Sequence, residues 1–239
     1  MERVYGAIQS RVGQVRAAMT QAALRRDRDP SGVALMAVVK TRSPEEIREV
    51  LAAGVTLLGE NRVQEGAAHL EALGPGPRRS FRLHFIGRLQ TNKARKAMDM
   101  FDSIDGVDSL HLAQLLSRLA QDAGLARDLL LEVNLGEESQ KGGVAPSAAE
   151  ALAEAVHGLP GLSLTGLMGV CPYAQDAEAS RPYYRDLHHL FDRLRRGHPQ
   201  PGTFRWLSMG MSHDFHVAVE EGATLVRVGE ALFGPRRPA

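Results

Sequence analysis

The run LMAVVKTR, residues 35–42, drives an apolar segment straight into Lys40. Low-dielectric surroundings disfavour an ammonium, lower the lysine pKa and leave an amine able to form an imine with an aldehyde. A lysine that snorkels from a rim to water fits the same position, so both roles stay open. A second group lies near the C-terminus, in MGMSHD at 209–214 and VRVGE at 226–230. Glycine there lets backbone approach an anion, Ser212 can cap or donate, and the turns opening near Met209 and at Gly229 and Glu230 offer N–H groups to phosphate. Ordinary capping turns use the same residue types. Asn61, after Gly59 and Glu60, can cap a helix or turn its amide toward a bound ring. His84, inside an apolar run, fits a hydrogen-bonded core histidine as well as a site residue.

Other chemistry finds little support. His213 and His216 are spaced HxxH but lack the HExxH pattern and a third ligand, so no metal site is expected. There is no P-loop, nucleophile elbow, EF-hand loop, or GxGxxG opening a helix after the first strand. The acid pairs Glu45/Glu46, Glu137/Glu138 and Glu220/Glu221 read as charge balance at helix ends and loops.

These residues must be positioned by the elements around them. Val4, Ile8, Val12, Val15, Met19 and Ala22 step by threes and fours, which predicts a leading amphipathic helix that ends at the polar loop 27–31. Strands are then expected at 33–39, 56–58, 82–86, 100–104, 129–134, 163–168, 204–207 and 225–228. Helices are expected between them, at 44–53, 61–73, from 91, 109–123, 146–156, 176–196 and 214–221. Ser43, Pro44, Glu45 and Glu46 supply an N-cap, a first-turn proline and acids at the positive helix end. Such alternation implies parallel pairing, and eight units close into a (β/α)8 TIM-type barrel of roughly 250 residues. A doubly wound sheet would stop at five or six strands. The reading is an N-terminal helix followed by one α/β barrel, a single domain over 1–239. Its active face is where strands end, with phosphate expected at the loops after strands 7 and 8. Segments 74–77, 136–143 and 197–202 are expected to be mobile.

The 239 residues carry a net charge of +1. Arginines cluster only at Arg25/Arg26/Arg28, Arg193/Arg195/Arg196 and Arg236/Arg237, so no basic face argues for nucleic acid. One cysteine, Cys171, rules out an intrachain disulfide and a cysteine-based zinc site, and a cytoplasmic location is inferred. No run approaches membrane-spanning length, so no membrane partner is expected.

Six motifs in order, AVVKT (37–41), GENRVQE (59–65), HFIGRLQTNK (84–93), GLM (166–168), LSMGMS (207–212) and VRVGEALFG (226–234), closely resemble the pyridoxal 5′-phosphate homeostasis protein family. These are single-domain relatives of the alanine racemase barrel. The resemblance covers almost the whole chain. It implies that Lys40 holds pyridoxal 5′-phosphate as an internal aldimine and that Asn61 lies near the ring. Ser212 and the amides around Gly229 and Glu230 would bind its phosphate, with Arg227 facing the pyridine nitrogen. His84 and Met209 fall within the matching motifs and are counted with the cofactor-binding set. Departures from the family pattern are Arg62 where an aromatic is expected, Pro44 one residue late, and Cys171. The resemblance implies a non-catalytic, monomeric carrier in vitamin B6 homeostasis that passes cofactor to dependent apoenzymes. The alternative is a racemase or related enzyme using the same cofactor. Racemases of the related barrel carry a further β domain, for which the residues after strand 8 are too few, and this favours the carrier.

Overall fold

The computed structural model describes residues 2–235 except 137, 139–141 and 173, with side chains from residue 6 onward. The tail pair Arg236/Arg237, half of the 136–143 segment including Glu137, and the side chain of Val4 lie outside the described residues. Eight strands, β1 (Ala34–Val38), β2 (Leu57–Glu60), β3 (Arg82–Phe85), β4 (Ser103–Val107), β5 (Arg127–Asn134), β6 (Leu162–Val170), β7 (Trp206–Ser208) and β8 (Leu225–Val228), pair in sequence order and close into a barrel. Every pairing is parallel, and β1 meets β8 with Met36 beside Arg227. The expected architecture is present, with α1 (Glu2–Leu24) ahead of the barrel.

Around it run α2 (Pro44–Ala52), α3 (Val63–Leu73), α4 (Ala94–Met100), α5 (Leu110–Ala123), α6 (Ala149–His157), α7 (Arg181–Gly197), α8 (Phe215–Glu220) and the short α9 (Glu230–Phe233). Local chemistry accounts for their ends. Ser43 is the N-cap of α2, as the sequence suggests, and it forms a reciprocal capping box with Glu46. On α5, Ser109 accepts from Leu112 N–H, Gly124 ends the helix in the left-handed conformation, and Leu112, Ala113, Leu116 and Ala120 bury one face. Phe85 of β3 meets Phe101 edge-on at 5.2 Å, in the apolar layer between strands and helices.

Two layers result. Outward-facing strand residues such as Leu58, Leu83, Phe85, Leu131 and Val226 join the helices in one apolar core. The barrel interior is more polar, with Ser103, Asp105, Glu132, Ser208 and Arg227 buried. Gly59 gives room there, because a Cβ would lie 2.7 Å from Met36 Sδ and 2.9 Å from Ile86 Cδ1, so those side chains would have to shift.

Several boundaries differ from expectation. The fourth strand is 103–107, not 100–104: Met100 belongs to α4, and Asp105 and Gly106, turn formers by type, sit in the strand because Asp105 pairs inside the barrel. Three helices, expected from 91, 146 and 176, begin with a 3-10 turn. The turn expected to open at Gly229 and Glu230 is the short helix α9.

Candidate functional site

One cavity of about 410 Å³ opens at the C-terminal ends of the strands, and Lys40, Asn61, Ser212, Arg227, Gly229 and Glu230 all line it. β1 ends at Val38, so Lys40 lies in the turn beyond the strand and not at its last position. Thr41 next to it has φ +61°, an uncommon conformation for a β-branched residue that surrounding contacts must hold. Those contacts come from α3. Glu65 Oε2 accepts from Thr41 N–H at 3.1 Å, and His69 Nε2 lies 2.9 Å from the Arg42 carbonyl. That carbonyl only accepts, so His69 must donate to it. His69 Nδ1 then faces buried Glu60 Oε1 at 3.0 Å, without a well-aligned hydrogen bond. The Glu60 carboxylate raises the His69 pKa above its ordinary range, outweighing the opposite pull of burial.

Glu60 Oε2 also accepts from Asn61 N–H at 3.2 Å. Asn61 does not cap α3; the cap position is Arg62, which makes no side-chain capping bond. Asn61 Oδ1 is buried without a partner among the described residues, a cost of about 1–3 kcal/mol unless a ligand satisfies it.

Arg227 is fixed from below. One terminal nitrogen donates to the Ser208 carbonyl and hydroxyl, both at 2.8 Å, and the other to the Gly169 carbonyl at 2.9 Å. Burial lowers its pKa, but an arginine keeps its charge at physiological pH. On β5, Glu132 is pushed up to about 7 by burial and by Asp108, against the attraction of Arg227 and Arg88.

The far wall joins two loops. Ser212 Oγ accepts from Gly229 N–H at 3.1 Å and Ala231 N–H at 3.3 Å, so its lone pairs cap α9 while its proton stays available to an acceptor. The Glu230 N–H has no acceptor among the described residues. Asp214 holds the Ser212 loop by accepting from Met211 N–H at 2.8 Å, and is itself held by Ser180 and Tyr184 at 2.9 and 2.7 Å. Gly210, at φ +88°, allows this turn, since a Cβ would lie 2.5 Å from that of Ala218.

The matched family model, "Alanine racemase, N-terminal domain", covers residues 16–237. The pyridoxal phosphate homeostasis protein of Aquifex aeolicus is 41% identical over 95% of this chain and 97% of its own. The chain belongs to the pyridoxal phosphate homeostasis protein family. A solved structure of PipY from Synechococcus elongatus, with pyridoxal phosphate bound, superposes with a TM-score of 0.78 at 35% identity, over 95% of this chain and all of that one. An alanine racemase from Clostridium difficile shares the fold alone, with a TM-score of 0.71 at 13% identity over 95% of this chain and 55% of that one.

For this member of the homeostasis protein family, two expected site residues lie elsewhere. His84 is 1% exposed, with Nδ1 2.9 Å from Asp105 Oδ2, in a layer below the cavity. Met209 turns outward into the apolar layer under the helices, since strand alternation gives the inner face to Ser208. Neither lines the cavity. Residues not foreseen are those behind the lining: Glu65 and His69, which share a face of α3 at an i, i+4 spacing, and Ser208, Ser180, Tyr184 and Asp214. Only the α3 spacing left a trace in the sequence.

Proposed function

We propose that the cavity holds pyridoxal 5′-phosphate and that the protein keeps this reactive cofactor in reserve within vitamin B6 homeostasis. The supporting observation is that an amine, a guanidinium and a hydroxyl-bearing loop, at Lys40, Arg227 and Ser212, line one cavity with an amide oxygen in want of a partner at Asn61. The cavity's size suits a small cofactor. When bound, the cofactor supplies an aldehyde that an amine can attack and a ring that can accept electrons. Lys40 Nζ is the amine placed to hold the aldehyde carbon. The Ser212 hydroxyl and Glu230 N–H bind the phosphate, and Asn61 borders the ring.

Arg227 weighs toward the carrier reading without by itself excluding racemisation, which an unprotonated ring still permits. Arg227 would meet the ring nitrogen and favour its unprotonated form, whereas a strong electron sink needs that nitrogen protonated beside an acid. We therefore assign the chain to storage and delivery to apoenzymes in the cytoplasm. The loaded protein is expected to leave common amino acids unchanged while restoring activity to a cofactor-free enzyme mixed with it. Amino-acid turnover that disappears in Lys40→Ala would replace the carrier with an enzyme.

A further inference from the structure

A larger cleft of about 870 Å³ adjoins the cofactor cavity, and Asn61 lines both. Arg62, Arg88 and Lys93 bring positive charge to it, and no carboxylate is among its described lining residues. Arg62 is partly neutralised by Glu65 at 3.0 Å. Arg88 and Lys93 make no side-chain hydrogen bond or ion pair among the described residues, although Arg88 lies within electrostatic reach of Glu132. The amides of Gln64, Gln90 and Asn92 are likewise without partners there, over a buried apolar floor. Convergent cations and amide donors without protein acceptors are the chemistry that recognises a phosphate- or carboxylate-bearing ligand. The volume suits a metabolite-sized anion better than a single phosphate.

The cleft is also mechanically close to the cofactor cavity. A Cβ on Gly87 would lie 2.4 Å from the Asn61 carbonyl oxygen and 2.9 Å from its Cα. The Asn61 backbone therefore rests directly on the residue before Arg88, with no side chain between them.

We propose that this cleft is a second ligand site, for a small polyanionic metabolite, whose occupancy loosens the hold on the cofactor through Asn61. This rests on the cofactor reading only for its second half. Two anions in adjoining cavities repel, and a ligand drawn onto Arg88 acts on the wall that borders the ring. By reciprocity the cofactor must weaken anion binding by the same factor.

Calorimetric titration of pyrophosphate and of citrate into cofactor-loaded protein at low salt tests the site, with its phosphate loops already filled. One anion should bind per chain, and Arg88→Ala/Lys93→Ala should weaken it about tenfold or more while the melting temperature holds. The preferred anion tells phosphate from carboxylate chemistry. Saturating pyrophosphate should weaken cofactor binding several-fold, to a plateau, in wild type and not in the double variant. Absence of heat from both anions, or equal binding by the double variant, overturns the site. Weakening without limit that persists in the variant is competition at Ser212 and overturns the coupling. If wild type binds no pyridoxal phosphate, the cofactor reading fails, and the same titrations on the unloaded protein still decide the cleft.

Discussion

Ser212 spends its lone pairs on two backbone N–H groups, so what it offers a ligand is its proton. A phosphate bound there gains charge-assisted hydrogen bonds worth about 1.5–3 kcal/mol each. Pyridoxal without phosphate should accordingly bind at least about tenfold more weakly than pyridoxal 5′-phosphate by absorbance titration. Equal affinities would remove the phosphate loops from the site. Glu132 makes a separate prediction. Its pKa of about 7 in the fold stands above the ordinary 4.5, so the folded state holds the proton more tightly. Stability must therefore fall as pH rises from about 4.5 through about 7, by about 3 kcal/mol in total. Glu132→Gln should remove that slope and stabilise the protein at pH 8 in denaturant titrations. A less stable variant would mean that the Glu132 charge serves Arg227 more than it costs.

At the scale of elements, α3 braces the turn that carries Lys40. Glu65→Ala removes the acceptor for Thr41 N–H, at a position whose positive φ has little intrinsic support. Cofactor affinity should drop several-fold while the melting temperature changes little, and a shift in melting alone would contradict the brace. His69 adds a pH dependence. Its folded pKa is raised, so its contribution is complete below the ordinary value of 6.5 and is lost as pH rises through the folded value. His69→Gln should flatten the alkaline side of the stability profile. The same elements show how far sequence carries. Most strands and helices were legible, because apolar alternation and the caps at Ser43 and Ser109 are local signals. The fourth strand was displaced because Asp105 and Gly106 carry turn chemistry, and it takes the distant His84, together with Ser103, to make a buried aspartate tolerable. Met209 was misplaced for a related reason: which neighbour faces inward depends on the barrel register.

Across the whole molecule, ion pairs tie α7 and the turn after α1 to the end of α8. Arg181 reaches Glu220 and Glu221, both at 2.7 Å, while Arg25 pairs with Glu220 and Arg26 with Glu221. Burial alone would raise both glutamates, but hydrogen bonds from arginine dominate and depress them. Their contribution is present above the ordinary carboxylate value and is lost as pH falls through the depressed one. Arg181→Ala should cost about 1–2 kcal/mol, since Glu220 keeps Arg25 and Glu221 keeps Arg26 and Arg185, and should flatten the acid limb of the stability profile because the two carboxylates are then less depressed. These pairings leave no mark in the sequence, because pairing across some 40 to 195 residues has no local signature. The site was partly legible for a similar reason. Lys40, Asn61, Ser212 and Arg227 announce their chemistry by type and motif, whereas the residues that hold them are identified only once the barrel closes. The central claim is that Lys40 is the amine of the cofactor cavity. Borohydride reduction of the loaded protein, followed by peptide mapping, tests it directly. The pyridoxyl label should fall on Lys40 and be lost in Lys40→Ala; a label on Lys93 or Lys141, with Lys40→Ala trapping cofactor normally, would contradict it.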